Sequence, residues 1–405
     1  MNDEINKPIF VVGSPRSGTS ILTWCLGYHP NIFPVPESNW MGELAASLGI
    51  AYQVGAARGD YSALSAMDIS PDEFFAAFGQ RINELILHHR DRLETKRKTR
   101  CIELKLDRRW LEASSTATGP KRRWVDGTPE YSFHIYGLRK LFPEALFIHL
   151  VRDVTAVVRS LLNFHRVSGV HLVASEEDAY RYWLRTVKAC LKAEEAYGPR
   201  VIHRLLYSSL INNPESAMRS LLDFVRESYD ARCLEPLAER INSSNVPAEF
   251  TSEDPATEVT FVDEARRLSE ELERTGQPDE PSPAVADELQ NAFHESCLRA
   301  MSIEEQLTKV RRKKSRDIQK LAAMLDEVAA NNARLQSSRL WRFVNRAAAI
   351  EAKLFPNKGF VPDRRLQKII GNYSRWRASH PDIANLDKPI HRAESPASGD
   401  DSDTA

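Results

Sequence analysis

The stretch from Ile9 to Leu22, I-F-V-V-G-S-P-R-S-G-T-S-I-L, constrains this chain more than any other. Ile9 to Val12 form an apolar run into Gly13, and a short polar loop, Ser14 to Gly18, follows. Thr19 and Ser20 then open a segment whose Ile21, Leu22, Cys25 and Leu26 recur at helical spacing. This is the order strand, phosphate loop, helix. Successive backbone N–H groups of such a loop, backed by the positive end of the helix dipole, form a concavity that accepts a phosphate group. The expected fold is therefore α/β: a P-loop NTPase-like parallel sheet of roughly five strands flanked by helices.

Gly13 to Gly18 match the G-x-x-x-x-G frame of the P-loop, but Thr19 and Ser20 stand where an ATP-using enzyme has Lys followed by Ser or Thr. Moving a γ-phosphoryl group requires that Lys, and Mg²⁺ on the following hydroxyl, to neutralise developing charge. A loop that keeps the cradle, lacks the Lys and carries its cation at Arg16 suits a transferred group of lower charge. A sulfuryl group fits. An ATP-dependent P-loop phosphotransferase is the competing enzymatic reading, and a non-catalytic nucleotide-binding or coiled-coil scaffold protein is the competing non-enzymatic one.

Pro15-Arg16-Ser17-Gly18-Thr19-Ser20 resembles the 5′-phosphosulfate loop of sulfotransferases that use 3′-phosphoadenosine-5′-phosphosulfate (PAPS). That family's second signature is a strand ending in Arg with a Ser eight residues on. Leu146 to Val151 reads as a buried strand, Arg152 ends it, and Ser160 follows at that spacing. The resemblance, which covers a little over half the chain, implies PAPS as sulfuryl donor and no metal. It implies that Arg16, Ser17, Gly18, Thr19 and Ser20 hold the 5′-phosphosulfate and that Arg152 and Ser160 hold the 3′-phosphate. Similarity to tyrosylprotein sulfotransferases implies Glu37 as the catalytic base, with Arg16 as the second catalytic residue, and the resemblance to relatives with a Tyr at the same strand end implies a cofactor contact for Tyr207. Many relatives carry a Lys two residues before the Pro of a T-P element, where this chain has Gly127. That role then falls to Arg16, to Lys105, or to no residue, and Asp126 orients the acceptor or Arg16 or is a satisfied strand-end carboxylate. Ile241 to Asn245 is read as a late loop near the cofactor, without the Arg-Lys-Gly segment of cytosolic sulfotransferases.

Lys and Arg total 55 against 56 Asp and Glu, so no charge excess points to nucleic acid. The five cysteines, Cys25, Cys101, Cys190, Cys233 and Cys297, are scattered without a C-x-x-C pair. That argues against zinc or a disulfide framework and for a reducing, cytoplasmic compartment. No run approaches the roughly 20 apolar residues of a membrane span. The amino end reaches its first strand by Ile9, leaving no room for the basic and apolar regions of a signal peptide.

Residues 1–250 are expected to form the α/β domain, with residues 41–100 as an insertion walling the acceptor site. The basic cluster Lys121-Arg122-Arg123 draws notice because it precedes the strand end at Asp126, and strand ends face the cleft in this fold class. Asp153 is expected to cap a helix from Val154 to Phe164. A second helix, Asp178 to Tyr197, carries Tyr182, Val187, Leu191 and Ala193 near one side. Residues 251–283 read as an acidic, Pro-rich linker with a short helix at Val262 to Leu272. Residues 284–355 carry a seam of alternating four- and three-residue steps from Leu289 and Phe293 to Val328 and Leu335. Such a seam predicts a coiled coil that either pairs two chains or folds back on its own domain. Residues 356–405 form an extension with a disordered tail from about Ala393. Ser338 to Phe355 resembles segments following coiled coils in bacterial surface-polysaccharide glycosyltransferases. The acceptor is accordingly expected to offer a free hydroxyl, on a carbohydrate or glycolipid.

Overall fold

A computed structural model of the chain describes residues 7–103, 120–238, 254–354 and 364–381. Five strands, β1 (Ile9–Val12), β2 (Ile32–Pro34), β3 (Arg123–Asp126), β4 (Leu146–Val151) and β5 (Ile202–Leu206), form one sheet. Its order is β2-β3-β1-β4-β5 and every pairing is parallel. β1 and β4 are buried along their whole length, as expected where helices cover both faces of a parallel sheet. Alternation along β1 serves two cores. Phe10 and Val12 enter one with Trp124, Tyr131 and Phe147, while Ile9 and Val11 enter the other with Leu22, Leu26 and Ile148.

Helices α1 (Thr19–Gly27), α2 (Trp40–Ala56), α3 (Pro71–Glu103), α4 (Ile135–Leu141), α5 (Val154–Asn163), α6 (Glu176–Tyr197), α7 (Tyr207–Asn212) and α8 (Pro214–Phe224) surround the sheet. The Asp153 carboxylate accepts from Ala156 N at 2.8 Å, so it caps α5 as its position implies, and Ser175 caps α6 through Asp178 N at 3.1 Å. The buried face of α6 is Tyr180, Trp183, Val187 and Cys190. Tyr182 and Leu191 lie half-buried at its edge rather than within it. Helix α9 (Val259–Arg274) packs Val262, Ala265 and Leu272 against α5 and α6.

The cluster at Lys121 to Arg123 faces away from the phosphate loop. In a parallel sheet the strands all begin at one end, and Arg123 begins β3. There Lys121 Nζ donates to Gly27 O at 2.6 Å, and buried Arg123 donates to the carbonyls of Lys7 and Val225 and pairs with Glu227. These cations close the floor of the domain. The tertiary contacts divide the chain into two compact units, 1–299 and 300–405.

Helix α10 (Pro283–Ser337) begins in the first unit, where Phe293 packs against Tyr136 and Phe75 with ring centroids 5.1 and 6.2 Å away. The start of the expected seam therefore folds back onto its own domain. Farther on, Ile303, Leu307, Val310, Leu321, Met324, Val328 and Leu335 are exposed. Helices α11 (Arg339–Leu354) and α12 (Arg364–Ser379) follow, and Tyr373 Oη donates to Ala322 O at 2.8 Å within the second unit. The tail from Ala393 lies outside the described residues.

Candidate active site

The loop after β1 sits at the carboxyl ends of the strands, where β1 divides the two halves of the sheet, the usual ligand crevice of such folds. Gly18 starts α1 with φ 106°, and a Cβ there would lie 2.8 Å from the Tyr207 ring. Only glycine takes that backbone comfortably while admitting the ring. Arg16 also has positive φ, 71°, a conformation uncommon outside glycine that marks a tightly constrained loop. Unlike α5 and α6, α1 has no side-chain cap, so the N–H groups of its first turn point into the crevice. The Ser17 hydroxyl is buried and has no partner among the described residues.

Two guanidinium groups converge on this loop. Arg152 donates to Arg16 O at 3.0 Å and lies over the Tyr207 ring, 4.5 Å from its centroid. Arg16 Nε donates to Ser160 Oγ at 3.0 Å, and its guanidinium stacks 4.7 Å from the Phe164 centroid. Burial, and next the neighbouring Arg152, lowers the pKa of Arg16, and burial lowers that of Arg152. Both remain cations at neutral pH. Their proximity creates a positive potential in a partly desolvated corner, the electrostatic requirement for binding phosphates. The two motifs read from the sequence thus meet in space, with Arg16 between Arg152 and Ser160.

Glu37, three residues beyond β2, comes against the first turn of α1. Ser20 Oγ donates to Glu37 Oε1 at 2.6 Å. Glu37 is exposed at the surface, yet crowding of its carboxyl by protein raises its pKa. Glu130 adds to the rise, while the Ser20 hydrogen bond and Arg16 oppose it. A raised carboxylate beside an anion-binding loop has the placement of a general base.

What holds Glu37 and the loop in mutual register is the segment after β3, Asp126-Gly127-Thr128-Pro129-Glu130-Tyr131-Ser132. Asp126 Oδ1 accepts from the amide and hydroxyl of Thr128, at 3.0 and 2.6 Å. The Thr128 hydroxyl accepts from Ser38 N at 2.8 Å, and Tyr131 Oη donates to Ser38 O at 2.6 Å. Both backbone groups of the residue after Glu37 are thereby fixed. Ser132 does the same for the loop: its hydroxyl accepts from Gly13 N at 2.9 Å and donates to Gly13 O at 3.3 Å. One segment grips the backbone beside Glu37 on one side and Gly13 of the loop on the other. Asp126 itself is buried, its Oδ2 has no partner among the described residues, and burial pushes its pKa up to about 7 against the Thr128 hydrogen bonds.

Gly127 explains the missing lysine sterically. A Cβ there would lie 2.1 Å from Thr23 Oγ1, which is committed to Thr19 O at 2.9 Å. A side chain at this position requires Thr23 to give up that bond and shift. Of the alternative cations, Arg16 is at the loop, whereas Lys105 and the loop Ile241 to Asn245 lie outside the described residues. Thr128, Tyr131, Ser132 and Phe164 escaped the sequence reading. The signal that could have found them is a T-P-E-Y-S run directly after a strand whose end faces the crevice. Among the described residues no group of three or more His, Cys, Asp or Glu is arranged to hold a metal ion.

A model of the Sulfotransferase family matches residues 8–231, more than half of the 405 residues. The chain is 24% identical over 221 residues to protein-tyrosine sulfotransferase 1 of Danio rerio, covering 54% of this chain and 52% of the relative. It is 31% identical over 107 residues to an omega-hydroxy-beta-dihydromenaquinone-9 sulfotransferase of Mycobacterium tuberculosis, covering 23% of this chain and 26% of the relative. Each match therefore spans about half or less of the relative. Among solved structures, sulfotransferase STF9 of Mycobacterium avium aligns over 69% of this chain and 79% of its own, with 20% identity and a TM-score of 0.36. On the family match, which spans the sheet, the phosphate loop and the Arg152 strand end, this chain belongs to the sulfotransferase family.

Proposed function

We propose that this protein transfers a sulfuryl group from PAPS to an acceptor hydroxyl. The observation that carries the reading is the meeting of an uncapped helix start, the buried Ser17 hydroxyl without a partner among the described residues and the guanidiniums of Arg16 and Arg152, with Glu37 hydrogen-bonded to the first turn of the same helix through Ser20. These residues fit the phosphates of PAPS: donors and cations surround one crevice, and a buried hydroxyl awaits an acceptor atom. When bound, PAPS supplies a sulfuryl group on its 5′-phosphate.

In this mechanism the N–H groups of Gly18, Thr19 and Ser20, with the Ser17 hydroxyl, bind the 5′ end, and Arg16 offsets the charge that gathers there. Arg152 and Ser160 hold the 3′-phosphate, with Tyr207 as the aromatic floor beneath Arg152. Glu37 would take the acceptor's hydroxyl proton as that oxygen bonds to sulfur and the bond between sulfur and the 5′-phosphate oxygen breaks, so that 3′-phosphoadenosine-5′-phosphate leaves with its new charge beside Arg16. Arg16 does the work that Lys does in many relatives, because Gly127 leaves that position without a side chain. No metal step is invoked.

The catalytic domain comprises residues 1 to about 250, and the acceptor class is a carbohydrate or glycolipid hydroxyl. The resemblance of Ser338 to Phe355 to polysaccharide glycosyltransferase segments supports that class. The names of two relatives mark protein tyrosine and a hydroxylated menaquinone as acceptors to test beside it. The exposed seam on α10 supports homodimerisation, and buried free thiols at Cys25, Cys190, Cys233 and Cys297 support a reducing, cytoplasmic setting. The test is transfer of ³⁵S from labelled PAPS onto panels of these acceptors and onto water. The reading expects transfer in the wild type and its loss in Glu37→Gln and Arg16→Ala. Transfer at wild-type rate in both variants overturns it.

A further inference from the structure

We propose that α11 is a membrane-surface helix that docks this protein on an anionic lipid bilayer. The second unit presents this helix with an apolar stripe directed at solvent. At 3.6 residues per turn, Leu340, Phe343, Val344, Ala347, Ile350 and Leu354 fall within an arc of about 120°. Four of them are strongly exposed, with relative accessibilities of 75% for Leu340, 72% for Phe343, 60% for Ile350 and 68% for Leu354. The helix is nevertheless well anchored in its own unit. The Ser338 hydroxyl caps it by accepting from Trp341 N at 3.2 Å, and the opposite side, Trp341, Asn345 and Ala348, is buried or half-buried. Among the described residues its outward face is unpartnered.

Charge identifies the occupant. Arg339, Arg342, Arg346 and Lys353 lie together along one border of the apolar arc, and the one acid in the helix, Glu351, falls near the arc's far edge between Leu340 and Val344. Residues 339–380 as a whole carry ten Lys or Arg against two acids, Glu351 and Asp363. An antiparallel partner of the same sequence would bring these cations face to face, and a parallel one would leave them without acids opposite, whereas coiled-coil flanks normally pair opposite charges. A bilayer with anionic headgroups satisfies both features, taking the large side chains into the acyl boundary and the cations at the phosphates. The helix lies in the interface and does not cross it, since no helix of the described residues is long and apolar enough to span a membrane.

The test is co-sedimentation of the full chain with phosphatidylcholine vesicles and with vesicles carrying about a third phosphatidylglycerol, at low and high salt. The inference expects at least ~10-fold tighter binding to the anionic vesicles, weakening as salt screens the contact. It also expects a ~10-fold or greater loss in Phe343→Ser/Ile350→Ser and in Arg342→Gln/Arg346→Gln. Both pairs replace exposed side chains, and equal helix content by circular dichroism shows that they fold. Absence of binding to anionic vesicles overturns the inference, as does binding that both double variants retain. It is equally overturned if Phe343→Ser/Ile350→Ser dissociates a wild-type dimer in light scattering and leaves vesicle binding unchanged, because the stripe is then covered by a second copy.

Discussion

Thr128→Val replaces a hydroxyl by a methyl of nearly the same shape and leaves the core volume unchanged. It removes two hydrogen bonds, the 2.8 Å contact that fixes Ser38 N and the 2.6 Å contact to Asp126. An amide left without its partner in a partly buried place costs about 1–3 kcal/mol. Glu37 is one bond from that amide, so the loss falls on the placement of the base, and about 1.4 kcal/mol of barrier corresponds to roughly tenfold in rate. The variant is therefore expected to turn over PAPS roughly 5- to 150-fold more slowly, with water as acceptor. Its affinity for 3′-phosphoadenosine-5′-phosphate (PAP) should stay within about twofold, because Ser132 still grips Gly13. Thr128→Ser, which keeps the hydroxyl, should restore most of the rate. Calorimetric PAP binding and PAP release from PAPS are measured on the same preparations. A Ser variant as slow as the Val variant, or a parallel loss of PAP affinity and turnover, would refute the idea that this segment positions the base independently of the loop.

Further outcomes follow from the same contacts. In the proposed mechanism Glu37 acts as a base only when ionised, and its pKa is raised, so turnover should fall as pH drops through that raised value. Glu37→Gln should abolish this acidic limb and slow transfer by about 10²–10⁴, whereas Ser20→Ala, which removes a bond that lowers the pKa, should move the limb to higher pH. In the core, Glu194 accepts from His149 Nδ1 at 2.5 Å and from Arg204 Nε at 3.0 Å, with Glu194 and His149 fully buried. Glu194→Gln leaves two cations without their carboxylate and should cost about 3–5 kcal/mol, measured by urea unfolding. Burial pushes the pKa of His149 down, but Cys190 and Glu194 together raise it to about 10, and His149 and Arg204 hold that of Glu194 below its ordinary value. The sign is fixed for each group. The His149 contribution is complete below its ordinary pKa of about 6.5 and is lost as pH climbs toward 10, while that of Glu194 is complete above about 4.5 and is lost on acidification. Stability from this triad should be greatest between those ordinary values and fall on both sides, and a flat profile to pH 10 would contradict it.

The sheet and the phosphate loop were legible because periodicity and turn chemistry are local. Ile9 to Val12, Leu146 to Val151 and the Gly13–Gly18 frame announce themselves without knowledge of their neighbours. Arg152 and Ser160 were legible only as a pattern, and their meeting through Arg16 required the pairing of β1 with β4. The grip of Thr128, Tyr131 and Ser132 was not legible. Its partners are backbone groups of Ser38 and Gly13, 90 to 119 residues away in sequence, and nothing in a side-chain motif records which distant carbonyl a hydroxyl will find. The basic cluster Lys121 to Arg123 misdirected attention for a related reason. A strand has two ends, and adjacency to Asp126 in sequence does not tell that Arg123 lies at the other one. Gly127 was readable as a missing lysine, but its crowding by Thr23 depends on how closely α1 approaches the end of β3.

The most direct test of the central claim is calorimetric binding of PAP to the purified protein, beside its 3′-dephospho analogue and ATP with Mg²⁺, repeated on Arg152→Ala. The account predicts that PAP binds best, that removing the 3′-phosphate weakens binding, and that Arg152→Ala loses about 10- to 100-fold in PAP affinity as a charge-assisted contact is removed. Preference for ATP with Mg²⁺, or PAP affinity unchanged by Arg152→Ala, would contradict it.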